Sequence, residues 1–556
     1  MDDALKESRL AKVRRNQLSR MNLDAYMGIQ DWTHKQDGQS TEFLPKVPMA
    51  VETMSAFIKR GLTKFGDFFR IEFPQGSTSP LPEESIHKLI MCYLNRLYVG
   101  NNKYRAFPTV MSDGTKAALL ESLYIFKVHG TIVGDLRPFD QGGQLTTIEF
   151  KNWRLRVDLV QRENYFPDPT GRHLYEIHRT ERDLHEVLQD AEAGIYQIED
   201  VAGLKESVKL RYDERRRAAH KGQNETELGG PRNTVVIDEY WGTIVDTTGR
   251  VLHKNVFFAR ANDKFIIRQP TPNPFWHGES PFVVEPIIRV PFSVWHKALY
   301  DHASPLNLAL NELFNLMVDG GISAVWGIKQ LRSSHLTDPN QISGGIPQGA
   351  TLDVKDSLPP NEKVLETIAE GNVPQDAIAI FEMVSREFNN ASLTNEVALG
   401  TLPQREVKAT EIIESGQSRA ITLDSIIGDI ENPVIGNVIR KAWLTILQNA
   451  DDLDGAEVVN AIGPKAALAL ARMSPSARYA TFAPLCSFKV FGLSSILEKA
   501  KEFQKVMAVM QVTGTNPIML QAFMQRFSGS KIQIKYSKSL TLTPRCLRMT
   551  RMNASI

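Results

Sequence analysis

Three kinds of residue in this chain could do chemistry: glycines spaced for phosphate binding, clustered histidines, and cysteines. A phosphate-binding loop needs a lysine after its second glycine, and the nearest spacing, Gly61–Gly66, is followed by Asp67. His173, His178 and His185 stand five and seven residues apart, whereas two metal ligands on one helical face stand four apart. We therefore expect no bound metal and no ATP-driven motor activity.

Nucleophilic and redox chemistry has equally little support. Cys92, Cys486 and Cys546 lie far apart and offer neither a disulfide framework nor a metal-binding pair, so inert thiols in a reducing compartment are expected. No GxSxG motif occurs, and with 64 acidic residues in 556, close carboxylate pairs arise by chance. We expect a protein that is not an enzyme and uses no cofactor.

The overall charge argues against a protein that clamps nucleic acid. Lys and Arg number 65 against 64 Asp and Glu, so the formal net charge is +1. Because phosphate neutralisation drives non-specific DNA binding, we expect DNA to be contacted at a few points only. The charged N-terminus has a helical pattern without a signal-peptide core, and no apolar run could span a bilayer, so no membrane role is expected.

The first part of the chain predicts a mixture of helices and strands. Val51–Phe65 has apolar residues at three- and four-residue steps, which is typical of a helix facing a core. The charged tract Leu174–Leu210 is predicted to be helical, and His173, directly before it, is expected to share one charged helical tract with His178 and His185. Three apolar runs predict strands: Phe68–Phe73, Leu123–Arg137 and Trp153–Val160.

A β-meander follows this region. Its three strands, Thr234–Val245, Val251–Ala259 and Lys264–Gln269, are rich in β-branched and aromatic residues. The turns between them carry Asp, Asn and Gly, which favour hairpins. A proline-rich run, Pro270–Phe282, closes the meander.

Two amphipathic helices then flank a small β-rich excursion. The first, Ser304–Gly321, has a serine that could cap it, a proline in its first turn, and a final Gly320-Gly321 pair that should end it. A strand (ISAVWGIKQL) and Gly/Pro/Ser-rich residues come next, and Val373–Ser392 is the second helix.

The C-terminal part is predicted to be mainly helical. A long helical tract, Arg405–Ala450, contains Pro433, where a kink is expected. A strand is predicted at Cys486–Leu493, and the segment SSILEKAKEFQKVMAVMQV has the spacing of a final helix.

Four segments resemble the portal proteins of tailed bacteriophages, especially those of short-tailed phages. Asn273–Trp295 (NPFWHGESPFVVEPIIRVPFSVW) resembles the junction where the portal wing passes into the stem. Leu399–Ser415 (LGTLPQREVKATEIIES) resembles the tunnel loop and the start of a long helix, with the A-T-E-I motif at Ala409–Ile412. The segments DAYMGIQDW and FLPKVPMAVETMSAFI resemble the family's opening, a short helix followed by a helix that enters the wing.

The resemblance implies an α+β fold with portal-protein architecture: a β-rich wing, a two-helix stem, a small α/β clip and a helical C-terminal crown. The implied regions are the wing (1–300, with the β-meander at 234–269), the first stem helix (301–320), the clip (321–372), the second stem helix (373–393), the tunnel loop (394–406), the long kinked helix and return to the wing (407–493), and the crown with a basic tail (494–556).

The resemblance also implies a set of partners. A homo-oligomeric ring of about twelve subunits would stand at one capsid vertex of the virion after assembly in the host cytoplasm. Double-stranded viral DNA would pass through its channel during packaging and ejection. The major capsid protein would contact the wing, while terminase, and later head-completion or tail adaptor proteins, would dock at the clip.

Polar residues on the two stem helices are candidates for channel or stem surfaces. Asn307, Asn311 and Asn315 form a ridge of neutral amides that would not hold phosphates tightly. On the second helix an acidic excess would repel DNA weakly, and its candidate residues are Asp376, Glu382 and Arg386, with Glu387 beside them. An ordinary amphipathic helix with one wet face is the open alternative for both.

Two further regions could touch DNA. Arg405 and Lys408 are the positive charges nearest the tunnel loop, where a salt bridge at the helix start is an open alternative. After Glu502 the chain has no acidic residue, and this basic end would face packaged DNA in the crown unless it is a solvated, disordered tail. The residues assigned to possible DNA contact there are Lys531, Lys535, Lys538 and Arg545.

These features together predict a structural, DNA-conducting assembly protein. Two alternatives remain open at this point. One is another phage head–tail joining or tail structural protein, and the other is an enzyme of nucleic-acid metabolism, which the missing phosphate loop disfavours.

Overall fold

A computed structural model shows how these segments fold. It describes residues 1–63, 67–73, 80–100, 103–141, 144–192, 196–208, 234–246, 248–326, 328–338, 353–355, 363, 365–369, 375–392, 425–484 and 487–491. All of them belong to one compact unit, Met1–Asn395 with Ser425–Leu493. A second unit, Glu396–Asp424 with Ser494–Ile556, lies outside the described residues.

The described chain is a mixed α+β protein, as the sequence predicts. Its helices are α1 Asp2–Met27, α2 Lys46–Thr63, α3 Glu83–Asn95, α4 Phe107–Glu121, α5 Leu184–Glu192, α6 201–208, α7 Ala303–Trp326, α8 Gln375–Ala391, α9 425–430, α10 Asn437–Gln448, α11 Gly455–Ile462, α12 Pro464–Arg472 and α13 Pro475–Phe482. No helix within the described ranges is both long and apolar enough to cross a bilayer.

The strands form five sheets within the described ranges. Their bounds are β1 Phe69–Glu72, β2 Leu97–Gly100, β3 Lys103–Arg105, β4 Leu123–Gln141, β5 Gln144–Leu159, β6 Tyr165–Pro167, β7 Tyr175–Asp183, β8 Thr234–Val245, β9 Val251–Ala261, β10 Phe265–Pro272, β11 Phe282–Pro286, β12 Ile328–Leu331, β13 Leu365–Ala369 and β14 Ser487–Val490.

The predicted meander is confirmed as part of a larger sheet. β8, β9 and β10 pair antiparallel in a five-stranded sheet of order β10-β9-β8-β7-β6. At the tip between β9 and β10, Asn262 and Asp263 adopt φ of 49° and 60°. This left-handed pair is the conformation of a type I′ hairpin turn, which Asn and Asp tolerate better than most residues.

The helical prediction for Leu174–Leu210 is wrong in its first part, which forms β7. Charged residues of β7 find partners across the sheet: Arg179 donates to Asp238 on β8 at 2.7 Å, and Asp238 is only 1% exposed. A strand with buried ion pairs has no apolar alternation, so the pattern alone suggests a solvated helix. The later residues of the tract are helical, as predicted, in α5 and α6.

The other large sheet has three strands in the order β11-β4-β5. The strands predicted at Leu123–Arg137 and Trp153–Val160 are confirmed as β4 and β5, which pair from Phe126 opposite Leu159 to Gln141 opposite Gln144. Gly130 of β4 lies under the ring of Trp153, where an added Cβ would stand 2.3 Å from the indole nitrogen. Only glycine allows this approach.

One buried apolar cluster joins the two sheets. Ile125 of β4, Ile237 and Trp241 of β8 and Phe282 of β11 all belong to it. Beside this cluster, Lys127 Nζ on β4 donates to Glu239 Oε2 on β8 at 2.6 Å, and both side chains are about nine-tenths buried. Although burial alone would raise it, the ammonium holds the pKa of Glu239 well below its usual value.

Two buried lysines donate hydrogen bonds to backbone carbonyls at the edges of the sheets. Lys12 of α1 donates to the carbonyls of Glu163 and Tyr165, at 2.7 and 3.4 Å, beside the edge strand β6. Lys441 of α10 donates to the carbonyls of Ser280 and Phe282, at 2.7 and 2.6 Å, along the edge strand β11. Unpaired strand edges invite pairing with other chains, so these lysines protect both sheets.

The structure confirms one of the helix predictions and modifies another. Val51, Met54, Ile58 and Leu62 are buried, which confirms the amphipathic helix as α2. Pro433 does disturb its helix, but by placing it in a π-helical turn, Glu431–Gly436, between α9 and α10. A π-turn is one of the ways in which a helix accommodates the amide that proline lacks.

The ion pair between the two sheets generates a stability prediction. Glu239→Gln leaves the Lys127 ammonium without its counter-ion in a largely buried site, so we expect a loss of about 3 kcal/mol in unfolding free energy. The double variant Lys127→Met/Glu239→Leu removes both charges and should lose less than Glu239→Gln alone. Urea denaturation measures the unfolding free energy of both variants. Equal losses in the two would contradict the proposed role of the ion pair.

A second prediction concerns pH. Burial lowers the pKa of His178, on β7, below its ordinary value of 6.5. The unfolded chain therefore takes up a proton before the folded chain does, and stability is lost as pH falls below about 6.5. His178→Gln removes this proton uptake, so its unfolding free energy should fall less than that of the wild type between about pH 7.5 and pH 5.5. Urea denaturation at the two pH values measures this difference. An equal fall in the unfolding free energy of the variant and the wild type would contradict the role of His178.

Candidate assembly surface

The candidate surface is built on α7, whose start is fixed by a buried ion pair. Arg15 of α1 donates through both terminal nitrogens to Asp301, at 2.5 and 2.6 Å, and the side chains are 5% and 7% exposed. Asn22 of α1 donates to the same carboxylate at 2.9 Å. Asp301 lies two residues before α7, so the N-terminal helix determines where α7 begins.

Ser304 does not cap the helix as predicted. It lies inside the first turn of α7 and is fully buried, and its hydroxyl has no hydrogen-bond partner among the residues that the structure describes. The Gly320-Gly321 pair does not end the helix either, since α7 continues to Trp326. Glycine inside a helix costs about 1 kcal/mol relative to alanine, which a helix of 24 residues can absorb.

The segment between α1 and α2, residues 28–45, crosses α7 and is held there by two asparagines; we call it the strap. Asn311 accepts from the backbone N–H of Leu44 at 2.9 Å and donates to Gln30 at 2.7 Å. Asn315 accepts from the backbone N–H of Glu42 at 2.8 Å and donates to the same residue's carbonyl at 2.8 Å. A planar amide that both donates and accepts pairs with irregular backbone in this way.

The prediction that this amide ridge faces a channel or a neighbour is wrong. Asn307, Asn311 and Asn315 are all fully buried within the chain. The side-chain amide of Asn307 forms no hydrogen bond with the described residues. The ridge turns inward because the strap backbone needs partners, and buried backbone groups without hydrogen bonds are rare.

Charges strengthen the attachment of the strap. Ser40 donates its backbone N–H to Asp319 at 2.7 Å, and Gln30 donates its side chain to Glu312 at 3.0 Å. Lys35, whose side chain is 7% exposed, lies 4.0 Å from both carboxylates. The only two charged residues of α7, Glu312 and Asp319, are therefore both occupied by the strap.

The remaining surface of α7 is apolar and incompletely covered. Leu316 is 61% exposed and Ile322 is 47% exposed. Leu313 and Met317 are half-buried. A helix that is apolar on nearly every side is normally buried on every side, so these exposed residues make α7 a candidate contact surface.

The second helix, α8, packs beside α7 through aromatic side chains. The rings of Phe314 and Phe381 lie 6.5 Å apart, and Phe388 is 2% exposed. Lys46, at the start of α2, donates to Ser385 at 2.5 Å. The helix predicted at Val373–Ser392 is thus confirmed, with its aromatic face turned towards the protein.

The outward face of α8 carries the charged candidates. Asp376, Glu382 and Arg386 are exposed, and they form no ion pair with the described part of the chain. Between them lie Ile380 and Met383, which are 45% and 58% exposed. A solvated helix face alone does not account for two large apolar side chains next to each other in space.

The segment between α7 and α8 contains a small antiparallel pair, β12 with β13, within the described residues. The strand predicted from Ile322 onwards is wrong over its first half, because residues 322–326 extend α7. It is confirmed only at β12. The helix, β-pair, helix order agrees with the prediction.

The other predicted site residues are not described. Arg405, Lys408 and the motif Ala409–Ile412 lie outside the described ranges, as does the whole tunnel loop, 394–406. The basic tail residues also lie outside: Lys531, Lys535, Lys538 and Arg545.

In the described part of the chain, the residues considered for metal binding or nucleophilic chemistry do not come together in one site. His173 lies in a turn with φ 54°, His178 in β7 and His185 in α5, so the single helical tract predicted to contain them is wrong. No three His, Cys, Asp or Glu residues of the described ranges approach closely enough to hold a metal. Cys92 is half-buried, and burial raises the pKa of its thiol.

A cavity of about 930 Å³ opens beside β11. Its charges are matched within the chain: Arg440 donates to both oxygens of Glu279 at 2.7 Å, and Arg289 donates to Glu285 at 3.0 Å. At its rim Phe292 is fully exposed with φ 60°.

No protein-family model matches the chain, and no curated protein is similar enough to count as a relative. The arrangement of α7 and α8 therefore carries the functional argument.

Sequence reasoning missed the strap. Its residues are polar and irregular, and nothing in their pattern points to a partner about 270 residues away along the chain. The available signal lay on α7, where asparagines at four-residue steps interrupt an otherwise apolar helix. Asparagine is a poor helix former, so asparagines in line on an apolar helix can indicate buried hydrogen bonding rather than solvation, which Asn311 and Asn315 show.

The amide contacts generate a prediction. Asn315→Ala leaves the backbone N–H of Glu42 and its carbonyl without partners, so we expect a loss of about 1–3 kcal/mol and faster proteolysis within residues 28–45. Asn389→Ala, on the exposed face of α8, is the matched control and should leave both unchanged. Limited proteolysis with mass spectrometry measures strap release, and equal cleavage rates in the two variants would refute the role of Asn315.

Proposed function

We propose that the chain is the subunit of a phage portal ring, a structural protein rather than an enzyme. In this role several copies close into a ring at one capsid vertex, and viral DNA enters and leaves through the central hole. Terminase and later tail or head-completion proteins dock on the segment between α7 and α8. The major capsid protein contacts the β-rich part.

The observation that carries this proposal is the incompletely covered α7–α8 pair. Leu316, Ile322, Ile380 and Met383 are between 45% and 61% exposed on two adjacent helices. Burying each such side chain contributes about 1.5–3 kcal/mol when it is fully removed from water. A protein that assembles through these helices gains that stabilisation on association, whereas a monomer exposes the helices to solvent.

The order of elements supports the portal over the alternative joining or tail protein. α7, the β12–β13 pair and α8 follow one another, and the segment before them, Asn273–Trp295, resembles the portal wing–stem junction. A joining or tail protein would share the β-rich texture but has no need of two helices around a small excursion. This support comes from architecture, because no single residue is diagnostic of the family.

A ring prediction follows from the proposal. Twelve chains of 62.5 kDa give a particle of about 750 kDa, seen as a ring with a central hole in negative-stain images. Leu316→Asp/Ile322→Asp puts carboxylates on the uncovered face of α7 and should abolish assembly while the subunit stays folded, because both side chains are exposed in the subunit. Native mass spectrometry and circular dichroism measure the two effects.

A matched control separates assembly from general surface change. Leu252 on β9 is 53% exposed, so Leu252→Asp removes a similar side chain outside the α7–α8 pair and should assemble like the wild type. A closed particle without a central hole, or ATP hydrolysis by the purified chain alone, would contradict the portal proposal. The motor of packaging would then have to be sought in this chain itself.

A further inference from the structure

Helix α1 is folded with its polar side chains inward. Among its buried residues are Ser8, Lys12, Arg15, Ser19 and Asn22, which lie on one side at three- and four-residue steps. Hydrogen bonds and an ion pair hold this side of α1 to the protein, with Lys12 on carbonyls and Arg15 on Asp301, and near the start of the helix Leu5 packs in a small apolar cluster with Phe166. The folding of the subunit does not use the apolar residues on the opposite side.

The outward face of α1 combines apolar and basic side chains. Leu10 is 68% exposed and Val13 is 52% exposed. Lys6, Arg14 and Arg20 surround them, are exposed, and form no ion pair with the described part of the chain. From Ser8 to Leu23 the chain has no acidic residue. This face is therefore complementary to a partner surface that combines carboxylates with apolar side chains.

The outward face of α8 has the opposite charge with the same apolar spacing. Ile380 and Met383 are three residues apart, as are Leu10 and Val13 on α1. Asp376 and Glu387 lie on the same stripe of the helix, four residues before Ile380 and four after Met383. Arg386 is the only basic residue of α8, against three carboxylates.

We infer that the outward face of α1 in one copy packs against the outward face of α8 in the next copy. The basic residues Lys6, Arg14 and Arg20 face the carboxylates of α8, and Leu10 and Val13 meet Ile380 and Met383. This assignment rests on the proposed ring and names the surfaces through which it closes. It assigns Asp376 and Glu382 to a contact between copies instead of a channel wall.

The assignment satisfies the requirement for a ring. A head-to-tail interface needs two different, complementary surfaces on every subunit. Both α1 and α8 pack against α7, each through the side opposite to the one proposed here. One subunit can therefore present both surfaces at once. Complementary charge also orients the subunits before the apolar residues make contact.

Charge exchange tests the interface. The α1 variant is Arg14→Glu/Arg20→Glu, the α8 variant is Asp376→Lys/Glu387→Lys, and the exchanged chain carries all four changes. Association is measured by sedimentation velocity and native mass spectrometry on the full chain. Circular dichroism follows folding, which these exposed residues should not affect.

The expected pattern is specific. Each two-residue variant brings like charges together across the interface and should weaken association by about tenfold or more. The exchanged chain restores opposite charges and should recover association to within about threefold of the wild type. Raised salt should weaken the wild type and the exchanged chain alike. Lys254→Glu on β9, an exposed charge reversal elsewhere, should associate normally.

The outcomes separate this inference from the proposed function. If wild-type rings form and either two-residue variant also forms them normally, the interface is wrong while the ring remains. If both variants fail but the folded exchanged chain does not recover, α1 serves another acidic partner, such as DNA, and the interface is again wrong. A wild-type chain that stays monomeric at every concentration overturns the proposed function together with the interface.

Discussion

The ion pair between Arg15 and Asp301 is the contact on which the rest of the arrangement depends. It joins residues 286 positions apart and is almost completely buried. Burial alone raises the pKa of Asp301, but the hydrogen bonds from Arg15 and Asn22 bring it below its usual value, so the carboxylate remains charged. Because Asp301 precedes α7, this pair sets where the helix starts, and hence where its asparagines meet the strap.

A common principle connects the N-terminal helix, the strap and the sheet edges. In each, a buried polar side chain satisfies backbone or charged groups that would otherwise lack partners: Lys12 and Lys441 at strand edges, Asn311 and Asn315 along the strap. Because these polar side chains form hydrogen bonds inside the chain, some apolar side chains are left on its surface. These polar contacts are all made within one chain, and exposed apolar side chains remain on α1, α7 and α8.

Much of the fold follows from local pattern. The meander, α2 and α8 have clear periodicity, and each is present where the pattern predicts it. The misses have physical causes. β7 carries charges whose partners lie on β8, and a sequence window does not contain those partners. Gly320 and Gly321 remain helical because the helix around them is long enough to absorb their cost.

The sequence indicates which helices form the candidate surface, but not which faces of these helices lie outward. The asparagine line on α7 was recognised, yet which way it faces depends on the strap, which belongs to a distant part of the chain. The exposed residues of α8 were recognised through charge alone, and the significance of Ile380 and Met383 needed the packing of Phe381 and Phe388 to be known. Distant contacts decide the orientation of helix faces, and a single sequence contains no measure of them.

The strap also has a consequence for the order of events during synthesis. Its hydrogen-bond partners on α7 lie about 270 residues later in the chain, so at ordinary ribosome speeds the strap waits roughly 15–55 s for them. During that interval α1 and the strap are already outside the ribosome while Asp301 is still unmade. The basic, apolar face of α1 is thus available before the subunit is complete. The outward face of α8, its proposed partner, is made later still, so association through these two faces begins only after the strap's partners on α7 have been made.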